Sequence, residues 1–118
     1  MGYRAHVCTT YQVRYGEGLF SHCCEELSSF LNDYNFIDWQ TGESRPLVEW
    51  EDAEKTAIEL SREGLKQLVK DIEEDADDLP YIPDKLSKVC DYESLAGIFT
   101  GWLETADPDN GFVRIEWF

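Results

Sequence analysis

Residues 61–78 place apolar side chains at helical spacing. Leu65, Leu68, Val69 and Ile72 fall on one stripe at intervals of three and four, so one face of a helix is built for burial. Ser61 stands where an N-cap is wanted. The stretch then ends in Asp71, Glu73, Glu74, Asp75, Asp77 and Asp78, six carboxylates in eight residues. Acids at a helix C-terminus oppose the macrodipole and repel one another. Helix stability does not account for them, whereas solubility or a positively charged partner does.

The rest of the chain reads as strands and helices around that element. Residues 3–14 alternate as one strand, with Tyr3, Ala5, Val7, Thr9, Tyr11 and Val13 on one face and Arg4, His6, Cys8, Thr10, Gln12 and Arg14 on the other. Tyr15 to Gly18 make a turn. Residues 19–32 follow as a helix burying Leu19, Phe20, Cys23, Cys24, Leu27, Phe30 and Leu31, which completes a βα unit. Residues 35–40 form a second strand. A turn through Thr41, Gly42, Glu43 and Ser44 returns the chain into a third strand, Leu47 to Trp50, with Pro46 at its start.

Residues 51–60 carry two signals. Glu51 to Lys55 has helical propensity, and Thr56 to Leu60 alternates like a strand; the cap at Ser61 favours the strand. Two prolines break the chain at 77–83, where Leu79, Tyr81 and Ile82 pin it to the body. Residues 84–89 form a short helical turn. Residues 92–105 form a helix capped by Asp91, with Leu95, Ile98, Phe99, Trp102 and Leu103 inward. A turn at 106–111 leads to a last strand at 112–118. The expected fold is a single α+β domain over residues 1–118. It has an antiparallel or mixed sheet of four to five strands with two main helices packed on one face, and the first and last strands central or neighbouring.

Charge narrows the function. Asp and Glu number 25 against 10 Lys and Arg, a net charge of −15. Direct binding to nucleic acid or an anionic membrane needs clustered Lys and Arg and is excluded. A basic protein surface or a cation suits this balance, and so does solubility alone. An apolar fraction of 42% with 14% aromatics supports a packed core rather than disorder. No apolar run reaches the roughly 18 residues of a membrane span. The opening Met1-Gly2-Tyr3-Arg4-Ala5-His6 lacks the apolar region of a signal peptide, so a cytoplasmic protein with reduced thiols is expected. Cys8, Cys23, Cys24 and Cys90 form no disulfide framework.

No catalytic signature emerges, and no cofactor is expected. His6, Cys8, His22, Cys23 and Cys24 lack paired zinc-ligand spacing and read as structural thiols and imidazoles. A nucleophile built from Cys8 and His22 lacks a loop-borne, activated thiol. Asp107, Asp109, Asn110 and Gly111 resemble a calcium loop, but the glycine comes one position early, and a turn is the reading that fits. There is no phosphate loop and no serine elbow. With so many acids, close carboxylate pairs arise by chance and do not identify an acid–base site.

The acidic face remains as the candidate site. Carboxylates spaced along a surface imitate the phosphates of a nucleic-acid backbone and can occupy the groove of a protein that binds one. Glu49, Glu51, Asp52 and Glu54 precede the helix and extend the acidic set formed by Asp71, Glu73, Glu74, Asp75, Asp77 and Asp78. Exposed aromatics at Trp39, Trp50 or Tyr81 supply anchors. The start Met1-Gly2-Tyr3-Arg4, running directly into a strand, resembles the start of many small acidic proteins of bacteriophages and other mobile elements. That resemblance implies an inhibitor of host defence, of the anti-restriction or anti-CRISPR kind, acting on a host nucleic-acid-binding complex. The chain is more aromatic and less uniformly acidic than the extreme DNA mimics, which points to a specific protein–protein inhibitor. Two alternatives belong to other classes. One is a structural or regulatory subunit that forms a homodimer through strand 112–118 as a sheet edge. The other is a carboxylate enzyme using a divalent metal.

Overall fold

Val113 and Ile115 are fully buried and alternate with half-buried Arg114 and Glu116 along the last strand, Phe112–Trp117. That alternation is what a strand needs to pack one face on a core and wet the other. The computed structural model describes residues 5–8, 13–14, 24–54, 57–77, 79–106 and 111–117. In chain order the elements are β1 (Ala5–Cys8), β2 (Val13–Arg14), α1 (Cys24–Asn32), β3 (Asn35–Ile37), β4 (Ser44–Pro46) and β5 (Val48–Glu51). They continue with β6 (Ala57–Ser61), α2 (Arg62–Glu73), α3 (Asp84–Ser87), α4 (Tyr92–Thr105) and β7 (Phe112–Trp117).

The main sheet has five strands in the order β2-β1-β7-β6-β5, and each neighbouring pair is antiparallel. Register puts Ile115 opposite both Val7 and Ile58, and Val113 opposite Leu60. The core is one cluster in which Ile58, Leu60, Val113 and Ile115 of the sheet meet Leu65, Leu68, Phe99 and Trp102 of the helices. α2 packs against α4, β6 and β7 on this inner face. Burying a leucine side chain in full contributes about 1.5–3 kcal/mol relative to leaving it in water. Phe30 of α1 reaches into the same cluster, with ring centroids 6.3 Å from Phe99 and 6.4 Å from Tyr92.

α2 follows the expected stripe, with Leu65, Leu68, Val69 and Ile72 all buried. Ser61 caps it, its hydroxyl accepting the Gly64 N–H at 3.1 Å. Asp91 caps α4 in the same way, accepting the Ser94 N–H at 2.8 Å. Leu79 is partly buried and Ile82 buried, so the segment before α3 is held down; Tyr92 secures it further by donating to the Pro80 carbonyl at 2.7 Å. Tyr81 of the same segment points outward, 72% exposed.

Four expectations need correction. Residues 3–14 are not one strand: β1 and β2 pair antiparallel, Val7 opposite Arg14, so the chain doubles back within that stretch. A hairpin, rather than a βα unit, therefore opens the fold. The strand from 35 onward is short, and its partner is β4 rather than the strand at 47–50. Pro46 lies in that two-stranded ribbon opposite Asn35, where a missing donor does little harm. The stretch from Val48 instead joins the main sheet as an edge, with a bulge between Val48 and Trp50. Finally, β7 is the middle strand. β1 and β6 occupy both of its edges, so no second copy can pair with it, and the proposed dimer through strand 112–118 has no free edge to use.

The turn at 15–18, the start of the first helix, most of the turn at 106–111 and Phe118 lie outside the described residues. No helix among the described residues is long and apolar enough to cross a membrane.

Candidate acidic docking surface

The last turn of α2 ends in a Schellman motif. The Ala76 N–H donates to the Asp71 carbonyl at 3.0 Å and the Asp75 N–H to the Ile72 carbonyl at 3.2 Å. This geometry requires a left-handed residue, and Asp75 takes it with φ 52°. Glycine is the residue that adopts it without strain. An aspartate here adds backbone strain to charge repulsion at the negative end of the helix dipole. Glu73, Glu74, Asp75 and Asp77 are all exposed. Lys70 is the basic residue in the last turn, and among the described residues no Lys or Arg pairs with these four acids. Asp78 lies outside the described residues.

The other carboxylates assigned to this face have different surroundings. Asp71 is half-buried and accepts the Tyr34 hydroxyl at 2.6 Å. Glu51 accepts the Ser28 hydroxyl at 2.6 Å and the Asn32 amide at 3.3 Å. Ser28 is fully buried, so Glu51 gives a sequestered hydroxyl its acceptor, while the Asn32 amide donates to the same oxygen at 3.2 Å. Ser28, Asn32 and Tyr34 come from one short segment, which ties the end of β5 to the end of α2. Asp52 closes the β5–β6 hairpin by accepting the Ala57 N–H at 3.1 Å. Glu54 is exposed at that hairpin. Glu49 belongs elsewhere again, 3.2 Å from Arg45. Tyr81 donates to Asp84 at 3.0 Å, a bond that raises the tyrosine's pKa above its ordinary value.

Trp50 is 44% exposed on the outer face of the sheet, and Arg114 lies over its ring at 5.2 Å from the centroid. The same guanidinium bonds Glu59 at 2.6 Å and Glu116 at 3.0 Å, and the Glu116 bond above all raises its pKa. Trp50 is thus already stacked by a cation of its own chain.

A second feature is carried by β3 and β4. A shallow depression of about 320 Å³ lies between their turn and the start of α2. Phe36, Trp39, Arg45 and Glu63 are among its lining. The ribbon sits on α2 because position 64 is glycine: a Cβ there would come 2.5 Å from the Phe36 ring. One turn on, Gln67 clamps the backbone of Ile37, accepting its N–H at 3.1 Å and donating to its carbonyl at 2.7 Å. Asp38 organises the turn. It accepts the Gln40 N–H at 2.9 Å and bonds Arg45 at 2.9 Å, and the Arg45 bond holds its carboxyl below the usual range. Trp39 is 71% exposed and Ile37 54%. The exposure of Trp39 was expected from the sequence. The placing of Arg45 and Glu63 was not, because nothing local says that positions 45 and 63 meet.

Among the described residues no three His, Cys, Asp or Glu side chains come together in a way that could hold a metal. Cys90 is buried. His22 and Cys23, and the side chains of His6, Cys8 and Cys24, lie outside what the structure describes. Comparison of the chain with protein-family models, curated proteins and solved structures finds no match.

Proposed function

We propose that this chain is a non-enzymatic binding protein that presents carboxylates to a basic protein, and that the partner is a nucleic-acid-binding protein whose phosphate-binding surface it occupies. The observation that carries this reading is the end of α2. Glu73, Glu74, Asp75 and Asp77 are exposed and without ion pairs among the described residues, at a helix end where charge and, for Asp75, backbone both favour other residues. Groups that cost stability and satisfy nothing internally are explained by an external partner. A net charge of −15 draws such a partner in and keeps nucleic acid itself away. The phage-like start of the chain supports an inhibitor of host defence as the biological form of this activity.

The test is capture from bacterial lysate at low salt, with wild type beside a variant carrying Glu73→Gln, Glu74→Gln, Asp75→Asn and Asp77→Asn. The expected result is a basic protein retained by wild type, released by duplex DNA and by salt, and absent from the variant. Equal capture by the two proteins overturns the reading.

A further inference from the structure

We infer that the depression beside the β3–β4 turn binds an arginine side chain of the basic partner, with Trp39 and Glu63 as its two contacts. The inference rests on the reading that the partner is basic, and it supplies a specific anchor that a diffuse acidic field lacks.

Two of the chain's own arginines show how this fold holds a guanidinium. Arg45 lies 5.7 Å from the Phe36 centroid and bonds Asp38 at 2.9 Å and Glu49 at 3.2 Å. Arg114 lies 5.2 Å from the Trp50 centroid and bonds Glu59 at 2.6 Å and Glu116 at 3.0 Å. Each site is one aromatic ring and two carboxylates around one cation. Arg45 with Phe36, Asp38 and Glu49 forms one side of the depression, and the other side offers a ring and a carboxylate, Trp39 and Glu63, to which no cation of the described residues is bound. Trp39 is 71% exposed, and no cation of the described residues lies over its ring. Glu63 is half-buried in the first turn of α2 and pairs with no described Lys or Arg. Around the hollow, three carboxylates (Asp38, Glu49 and Glu63) face one guanidinium, that of Arg45. The hollow therefore repels phosphate and attracts a cation.

The chemistry selects arginine over lysine. A guanidinium is planar, stacks on an indole, and meets a carboxylate through two parallel donors. An ammonium is more strongly hydrated and does neither as well. The site is also held in shape before any ligand arrives. Thr41 and Gly42 donate their N–H groups to the Asp38 carbonyl at 3.3 Å and 2.6 Å, and Gly42 takes φ 74°, which glycine adopts freely. With Gln67 clamping Ile37, the backbone of the turn is fixed, and what is left to order on binding is the side chains of Trp39 and Glu63.

The experiment titrates the full chain with two capped peptides of equal charge, tetra-arginine and tetra-lysine, by calorimetry. In parallel the Trp39 indole N–H is followed by NMR, assigned as the resonance missing from Trp39→Ala. Wild type should bind tetra-arginine about five- to tenfold more tightly than tetra-lysine, with the Trp39 resonance shifting. Trp39→Ala and Glu63→Gln should each bring the two peptides to the same affinity, and Trp39→Phe should restore part of the preference. The indole is mostly in water, so a melting curve will show these variants folded. Equal affinity in wild type, or a preference that survives Trp39→Ala, overturns the arginine site. If both peptides bind equally and binding falls in the four-residue α2 variant, the acidic docking function stands and this inference alone fails. If neither peptide binds wild type, both fail.

Discussion

Glu51 accepts the Ser28 hydroxyl of α1 and Asp71 accepts the Tyr34 hydroxyl just before β3, each at 2.6 Å, and both carboxylates are half-buried. Glu73, Glu74, Asp75 and Asp77 begin two residues further on, project into water and pair with no described cation. In the sequence these residues look alike, acids that flank one amphipathic stripe. In the fold the first group holds elements together and the second holds nothing. The lesson is that a carboxylate's role is set by whether a donor from elsewhere in the chain reaches it. Removing Glu51 leaves the buried Ser28 hydroxyl without its acceptor; removing one of the second group relieves repulsion.

The largest effect that separates the two groups is on binding. Neutralising Glu73, Glu74, Asp75 and Asp77 together should weaken association with a basic partner by about 100-fold at low salt, taking each exposed pair at somewhat under ~1 kcal/mol. Calorimetry at two salt concentrations checks this, and an affinity within twofold of wild type would remove the distinction. Next is Glu51→Ala, which leaves the buried Ser28 hydroxyl without an acceptor, with only the Asn32 amide at 3.2 Å still bonded to its oxygen, and should cost about 1–3 kcal/mol in urea unfolding. Adding Ser28→Ala should recover part of that loss; strict additivity would mean that the 2.6 Å contact contributes nothing.

Asp75→Gly should move the other way, raising stability by about 1 kcal/mol, because glycine suits φ 52° and a charge leaves the negative helix end. The same substitution should weaken binding to the basic partner. A variant that is less stable than wild type would show that Asp75 makes a contact the motif does not require. The smallest effect concerns pH. Asp91 is an engaged carboxylate, and its bond from the Ser94 N–H holds its pKa below the ordinary 3.8. Its charge therefore adds stability in full above pH 3.8, and that contribution disappears as the pH falls through the lower folded-state value. The stability gap between wild type and Asp91→Asn should be flat through neutral pH and close only in strong acid, as read from denaturant midpoints.

Much of the architecture follows from spacing. The stripe Leu65, Leu68, Val69 and Ile72, the caps Ser61 and Asp91, and the alternation of Val113 and Ile115 with Arg114 and Glu116 are all local patterns. Local patterns suffice because a helix or strand must bury one face whatever lies opposite. Pairing partners are not local. That β4 rather than β5 answers β3, that β1 folds back on β2, and that β7 has a neighbour on each edge depend on which strands meet across the chain. The exposure of Glu73, Glu74, Asp75 and Asp77 was legible, but the separation of these acids from the engaged Asp71 and Glu51 was not, since Tyr34 lies 37 residues from Asp71 and Ser28 lies 23 from Glu51.

From the order of residues alone came the α+β class, the amphipathic α2, its cap, and a net charge of −15. The three-dimensional arrangement decided which acids are held by buried hydroxyls, which stand open to solvent, and that Trp39 and Glu63 face one hollow across the β3–β4 ribbon. The division has one cause: periodicity and net charge are properties of neighbouring or summed residues, whereas hydrogen bonds and hollows need side chains far apart in the chain to meet.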